Sequence, residues 1–148
     1  MSYQTVTPYL TMSDAAAAID FYKQAFDAEE VSRHMAPDGK RLMHVHMRLL
    51  GSDLMFSDEF SDKMGGTPKT PQALGGSPVT LHLQVEDANA IWDKAVAAGA
   101  TITMPLKDQF WGDRYGQLRD PFGHNWSVGQ KIKDLSREEV EAGAKANF

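Results

Sequence analysis

The stretch Val79-Thr80-Leu81-His82-Leu83-Gln84-Val85-Glu86-Asp87 alternates without a break. Val79, Leu81, Leu83 and Val85 fall on one face, and Thr80, His82 and Gln84 on the other. A period of two marks a half-buried strand. Glu86-Asp87 then opens a helix whose apolar stripe is Ile91, Trp92, Ala95 and Val96, a spacing close to 3.6. Gly99 closes it, since glycine takes the left-handed conformation that ends a helix. Further strands are predicted at Thr101–Met104, Arg114–Arg119 and Asn125–Val128, the last entered through the turn Asp120-Pro121-Phe122-Gly123.

The front half of the chain carries the same order. Thr5–Met12 sets Thr5, Thr7, Tyr9 and Thr11 against Val6, Leu10 and Met12. Ser13-Asp14 caps a helix from Ala15 to about Ala28, with Ala18, Ile19, Tyr22, Ala25 and Phe26 as its stripe. Strands follow at Glu30–Ala36, Arg41–Leu50 and Leu54–Ser57. In Arg41–Leu50, His44, His46 and Arg48 face one way and Met43, Val45, Met47 and Leu49 the other. The two halves superimpose at an offset of about seventy residues, and a two-copy repeat is read as two halves of one domain sharing a sheet. The expected fold is α+β: tandem β-α-β-β-β modules at about 5–59 and 79–130, a Gly/Pro-rich linker at about 60–78, and a tail helix at about 134–146 opened by Ser136-Arg137-Glu138-Glu139. A structureless linker of that length inside a compact domain marks a functional or mobile segment.

Composition narrows the chemistry. The 148 residues contain no cysteine, which excludes a disulfide framework, thiolate zinc, iron–sulfur clusters and a cysteine nucleophile. Fifteen Lys and Arg against 20 Asp and Glu give a net charge of −5, and without a basic stripe nucleic acid is not an expected partner. No apolar run approaches the ~20 residues needed to span a bilayer. Met1-Ser2-Tyr3-Gln4-Thr5 has neither the basic nor the apolar region of a secretion leader. The expected setting is the cytoplasm.

The doubled pattern resembles the vicinal-oxygen-chelate superfamily, which includes glyoxalase I, bleomycin-resistance proteins and extradiol dioxygenases. The motifs that carry it are Val85-Glu86-Asp87, Ala97-Ala98-Gly99-Ala100 and Arg119-Asp120-Pro121-Phe122-Gly123-His124. Thr7-Pro8-Tyr9-Leu10, Phe21-Tyr22-Lys23, Phe26, Trp111-Gly112-Asp113-Arg114-Tyr115-Gly116 and Lys133-Asp134-Leu135-Ser136 resemble its PhnB-like branch. Some relatives there carry a 3-demethylubiquinone 3-methyltransferase label. The resemblance implies a curved mixed sheet around a cavity and a homodimer.

In metal-dependent relatives each module supplies one ligand seven residues before the helix-start Asp and another four residues after the glycine of the last turn. Here those positions hold Thr7, Met55, Thr80 and Ser127. Neutral hydroxyls are weak donors and a thioether prefers soft ions, so this set does not offset the dehydration of a divalent cation. The expectation is no resident cofactor, with a divalent metal conceivable only at a non-standard site.

Candidate ligand-binding residues are Tyr9, His44, His46, Met55, His82, Trp111, Arg114 and Tyr115. Trp111 and Tyr115 could stack on a flat ligand and Arg114 could grip an anion. The competing reading of the histidines is the polar side of a wet sheet, and for Asp113 and Arg114 it is a simple ion pair. For His124 the expectation is turn geometry. The function expected is binding of a small organic molecule. The alternative is a metal-dependent lyase or dioxygenase of the glyoxalase or dioxygenase type, built on His44, His46 or His82. Methyl transfer lacks the strand, Gly-rich turn and helix that cradle a nucleotide-like cofactor.

Overall fold

The computed structural model describes residues 4–148, so the first three residues of the Met1–Thr5 stretch read above for a secretion leader lie outside the described residues. The first module runs β1 (Tyr9–Met12), α1 (Ala15–Phe26), β2 (Glu29–Met35), β3 (Leu42–Leu49) and β4 (Ser52–Asp58). Two single-turn helices, α2 (Ser61–Met64) and α3 (Pro71–Leu74), stand where a plain linker was expected. The second module repeats the order as β5 (Thr80–Gln84), α4 (Ala88–Ala98), β6 (Thr101–Asp108), β7 (Asp113–Arg119) and β8 (Asn125–Lys131), and α5 (Arg137–Asn147) closes the chain.

Each module forms its own mixed sheet, ordered β1-β4-β3-β2 and β5-β8-β7-β6. The first strand lies parallel to the last, and the other pairs are antiparallel. The expectation of one shared sheet is therefore corrected to two four-stranded sheets. On the free edge of β1 the Thr11 carbonyl is met by the His124 side chain, Nε2 at 2.9 Å, rather than by a strand of the second module. Pro8 faces β4, its carbonyl accepting from Met55 N, and has no N–H to extend that ladder.

The same proline shortens β1, which begins at Tyr9 rather than Thr5. Ahead of it, the Gln4 side chain stands in for a strand, donating to Asp53 O at 2.9 Å and accepting from Asp53 N at 3.1 Å. Helix α1 ends two residues early because Asp27 adopts a left-handed conformation (φ 53°) and Ala28 N–H turns back to Tyr22 O. Strand β6 runs past the expected Met104 to Asp108. It absorbs Pro105 at register shifts between Ile102 and Lys107, the place an edge strand tolerates proline. A register shift between His34 and Met35 in the β2–β3 ladder accompanies a change of sides in β3. Leu42 is buried there and Met43 is 48% exposed, against the expectation that Met43 joins the core face.

Helices α1 and α4 start in the same way. Asp14 accepts from Ala17 N at 3.0 Å and Asp87 from Ala90 N at 3.1 Å. The end of each module's last strand caps the first helical N–H, Asp58 reaching Ala15 N at 2.8 Å and Gln130 reaching Ala88 N at 2.9 Å. These contacts satisfy donors that a helix start leaves orphaned.

Helices α1 and α4 pack into one core with the inner faces of both sheets. Its centre is aromatic: Phe26 and Trp126 rings lie 4.8 Å apart, Tyr22 and Trp126 5.5 Å, and Tyr22 and Phe56 5.8 Å. Inside this apolar mass sits the Asp120 carboxylate, 4% exposed. Its Oδ2 accepts from Tyr22 OH at 2.5 Å and Trp126 Nε1 at 2.9 Å. Its Oδ1 accepts from the backbone N–H of Phe122 at 2.9 Å and His124 at 3.0 Å. Burial, and then the neighbouring Asp120 charge, raises the Tyr22 phenol well above its usual range. Replacing Asp120 by Ala leaves four buried donors unpaired and is expected to cost about 3 kcal/mol or more, against about 1–2 for Tyr22→Phe. Urea unfolding of the two variants checks the order, and equal midpoints would contradict this account of Asp120.

Candidate functional site

The parallel register decides what stands at the four positions where relatives carry ligands. Met55 is paired with Tyr9, and Ser127 with His82. Thr7 falls ahead of β1, its hydroxyl donating to Gln4 O at 3.3 Å, and Thr80 opens β5 opposite Asn125. The side chains beside Met55 and Ser127 are therefore Tyr9 and His82. They occupy equivalent places in the two modules, on the sheet faces turned away from the helices.

On the second sheet, His82 Nδ1 lies 2.7 Å from Ser127 Oγ and Nε2 lies 2.8 Å from Gln84 Oε1. With the Gln84 oxygen accepting, Nε2 carries the proton and Nδ1 accepts from the serine hydroxyl. Tyr115 stacks on the imidazole at 5.9 Å, Gln117 donates to the Tyr115 hydroxyl at 3.1 Å, and Trp111 meets Tyr115 edge-on at 5.5 Å. Gly129 leaves the room in which this group is arranged. A Cβ there would fall 2.9 Å from His82 Cε1 and 2.8 Å from Gln84 Oε1.

On the first sheet, Tyr9 OH lies 2.9 Å from His44 Nδ1, and His34 stacks on His44 at 6.1 Å. His46 is buried and holds Asp53 Oδ1 at 2.9 Å, an oxygen that Arg48 also reaches at 3.2 Å. The His46 hydrogen bond is the largest influence on Asp53 and, with Arg48, holds its carboxyl below the usual range against the opposing effect of burial. His44 and His46 share a face as expected, yet they serve different partners. His82 belongs to the other sheet. Among the described residues, no three His, Asp or Glu side chains gather as a cation-holding set.

Neither the four ligand positions nor His82, with both nitrogens engaged, matches what a divalent cation needs. Arg114 pairs with Asp108 across the β6–β7 ladder at 2.8 Å, and not with Asp113 as the sequence suggested. Trp111 packs edge-on against Phe110, which also meets Phe148 beyond α5. His124 is part of the Asp120 turn, as its place in the motif implied, and its side chain also bonds across to β1, which the motif did not imply.

Three cavities adjoin these faces. One of about 280 Å³ lies at the seam between modules, bounded by Gln4, Asp53, His82 and Gln84. A second of about 300 Å³ lies between Tyr9 and Val79. The largest, about 810 Å³, lies beneath residues 59–69, and none of the eight candidate residues lines it. Its walls include Arg41, Phe60, Met64 and Lys69. The available signal for them was the length of the linker and the apolar Phe60 and Met64 within it.

Burial, followed by the neighbouring His34 and His46, pushes the His44 imidazole below its ordinary value. The folded state thus holds fewer protons than the unfolded chain between the lowered value and about 6.5. Stability from this group is present above about pH 6.5 and is lost as pH falls through the folded pKa. Imidazole NMR should show His44 titrating below 6.5, with the midpoint rising in His34→Gln. A midpoint at or above 6.5 would overturn the assignment.

The family model described as Glyoxalase/Bleomycin resistance protein/Dioxygenase superfamily matches residues 4–128. An uncharacterised protein of Mycobacterium bovis is 48% identical over 137 residues, covering 93% of this chain and 90% of its own. An uncharacterised Arabidopsis thaliana protein is 33% identical over 130 residues, covering 84% and 76%. Among solved structures, TioX from Micromonospora sp. ML1 superimposes with a TM-score of 0.68 at 25% identity, covering 89% of this chain and all of that one. A PhnB protein from Bacillus cereus, which carries a 3-demethylubiquinone-9 3-methyltransferase label, shares the fold with a TM-score of 0.65 at 23% identity over 86% and 99%. Two β-α-β-β-β modules on one core, joined by this match across most of the chain, make it a member of the glyoxalase/bleomycin resistance protein/dioxygenase superfamily.

Proposed function

We propose that this protein binds a small organic molecule in the cavities bordering its sheets, using aromatic, imidazole and hydroxyl groups in place of a metal centre. The observation that carries the reading is the His82–Ser127 pair. Where a metal-dependent relative has a carboxylate, a serine hydroxyl is committed to the neighbouring imidazole, whose other nitrogen is committed to Gln84. What remains on these faces is ring surface: Tyr115 and Trp111 beside His82, and Tyr9 beside His44. Flat rings with a few fixed polar groups are the lining of many organic-ligand sites.

The proposed functional unit is a homodimer. The outer edge strands β2 and β6 expose Val31, Met35, Ile102 and Met104, and an apolar edge is a surface that a second copy can cover. The proposed setting is the cytoplasm, in keeping with a chain that has no cysteine to oxidise.

Elemental analysis of protein purified without chelator, paired with ligand screening by calorimetry in the presence and absence of Ni, Fe, Zn or Mn, tests the reading. Ligand binding unchanged by added metal is expected, and Tyr115→Ala should weaken a ligand stacked on that face by about tenfold. Stoichiometric metal that disappears in His82→Ala would overturn the proposal and support a metal-dependent enzyme at a non-standard site. Light scattering after size exclusion should return twice the chain mass, and a monomer would remove the dimer.

A further inference from the structure

The largest cavity lies apart from the rings just described but continues their face. Thr11 and Ser57, which line it, are paired across β1 and β4 two residues beyond Tyr9 and Met55. Its roof is the start of the linker, held down at both ends by one side chain. Glu59 accepts from Ser61 N at 2.7 Å with one oxygen and from Lys69 N at 2.5 Å with the other. Arg41 adds a second tie, bonding Glu59 O at 2.9 Å and Asp62 at 2.8 Å while its guanidinium lies 4.3 Å over the Phe60 ring. A long loop fixed this way keeps a cavity open at little ordering cost to a ligand.

Three acids and three bases line it, Asp38, Asp58 and Glu59 against Arg41, Lys63 and Lys69, and they differ in how far each is engaged. Arg41 is occupied by Asp38 and Asp62. Asp58 is buried with its oxygens on Ala15 N and Leu42 N, and Glu59 is used as above. Among the described residues, the ammonium groups of Lys63 and Lys69 form no ion pair or side-chain hydrogen bond, and both border the cavity. The rest of the lining is largely apolar. Met43 was turned outward by the change of sides in β3, and Met64 is 84% exposed although it faces this space. At about 810 Å³ the cavity suits a drug-sized molecule.

We propose that this cavity takes a small amphipathic organic anion, its apolar body against Met43, Phe60 and Met64 and its single acidic head drawn to the unpaired ammonium groups of Lys63 and Lys69. This rests on the reading of the chain as a binder of small organic molecules, and adds to it the seat and the ligand class. Methionine side chains adapt to varied apolar shapes, and an unpaired ammonium on the lining gives an acid a charge-assisted partner.

The test titrates the folded protein with 1-anilinonaphthalene-8-sulfonate and, in parallel, its uncharged relative N-phenyl-1-naphthylamine, with near-ultraviolet circular dichroism confirming native packing. One saturable sulfonate site is expected, displaced by dodecanoate and weakened by added salt. The double variant Lys63→Gln, Lys69→Gln should weaken the sulfonate about tenfold and leave the uncharged probe within about twofold. Met43→Trp, filling the apolar end, should reduce both. Sulfonate binding that survives these variants but is lost in Tyr115→Ala or His82→Ala would overturn this seat and leave small-molecule binding on the ring faces standing. No saturable binding of either probe overturns the cavity proposal.

Discussion

One buried carboxylate holds the two modules together. Asp120 has no cationic partner among its hydrogen bonds. It is kept in an apolar core by four donors, two from its own turn and two from aromatic side chains. Tyr22 reaches it from the first module and Trp126 from the second, so the charge sits where the aromatic cores of both halves meet. Removing such a group leaves its partners stranded, which costs more than the net worth of the bonds themselves. The same turn sends His124 across to the Thr11 carbonyl. A single tetrapeptide turn therefore sets the relation of α1 to β8 and of β1 to the second module, and with it the seam along which two of the cavities lie.

From that fixed frame the pairing register determines the chemistry. A strand places alternate residues on opposite faces, so the choice of partner for Met55 and Ser127 is also the choice of what surrounds them. With Tyr9 and His82 as those partners, the hydroxyl and imidazole groups of the outer faces satisfy one another. The histidines that share composition with metal sites elsewhere are distributed as His44 with Tyr9 and His34, His46 with Asp53, and His82 with Ser127 and Gln84. Each has a side-chain partner that orients it, and the three sets lie on two sheets.

The repeat, the helix caps and the order of strands were legible because each is a local pattern. Asp14 and Asp87 cap where they should, and the alternation in Val79–Val85 reports a strand whichever neighbours it has. Features that depend on long-range pairing were not legible in this way. Nothing in Arg41–Leu50 announces that its partner strand shifts register near His34 and that Met43 turns outward. The strand expected at Thr101–Met104 stops just short of Pro105, yet an edge strand with two register shifts carries that proline. Arg114 found Asp108, six residues away in sequence but opposite it in the ladder, rather than its neighbour Asp113. The linker's composition marked it as irregular, while its order comes from Glu59 and Arg41 reaching across it.

The symmetry of the modules makes their differences informative. Equivalent positions perform the same structural task with different side chains, Asp58 capping α1 where Gln130 caps α4. Their chemical surfaces have moved further apart. One module places a phenol beside a thioether at Tyr9 and Met55, and the other an imidazole beside a hydroxyl at His82 and Ser127. The arm after the first module, tied by Glu59 and Arg41, roofs the Thr11–Ser57 end of β1 and β4, while the segment after the second module forms α5. A twofold repeat with equal halves would present two like surfaces to a ligand. Here the divergence leaves the second module a polar, ring-lined face and the first a largely apolar cavity beyond Thr11 and Ser57, so one scaffold is built twice while each surface chemistry is built once.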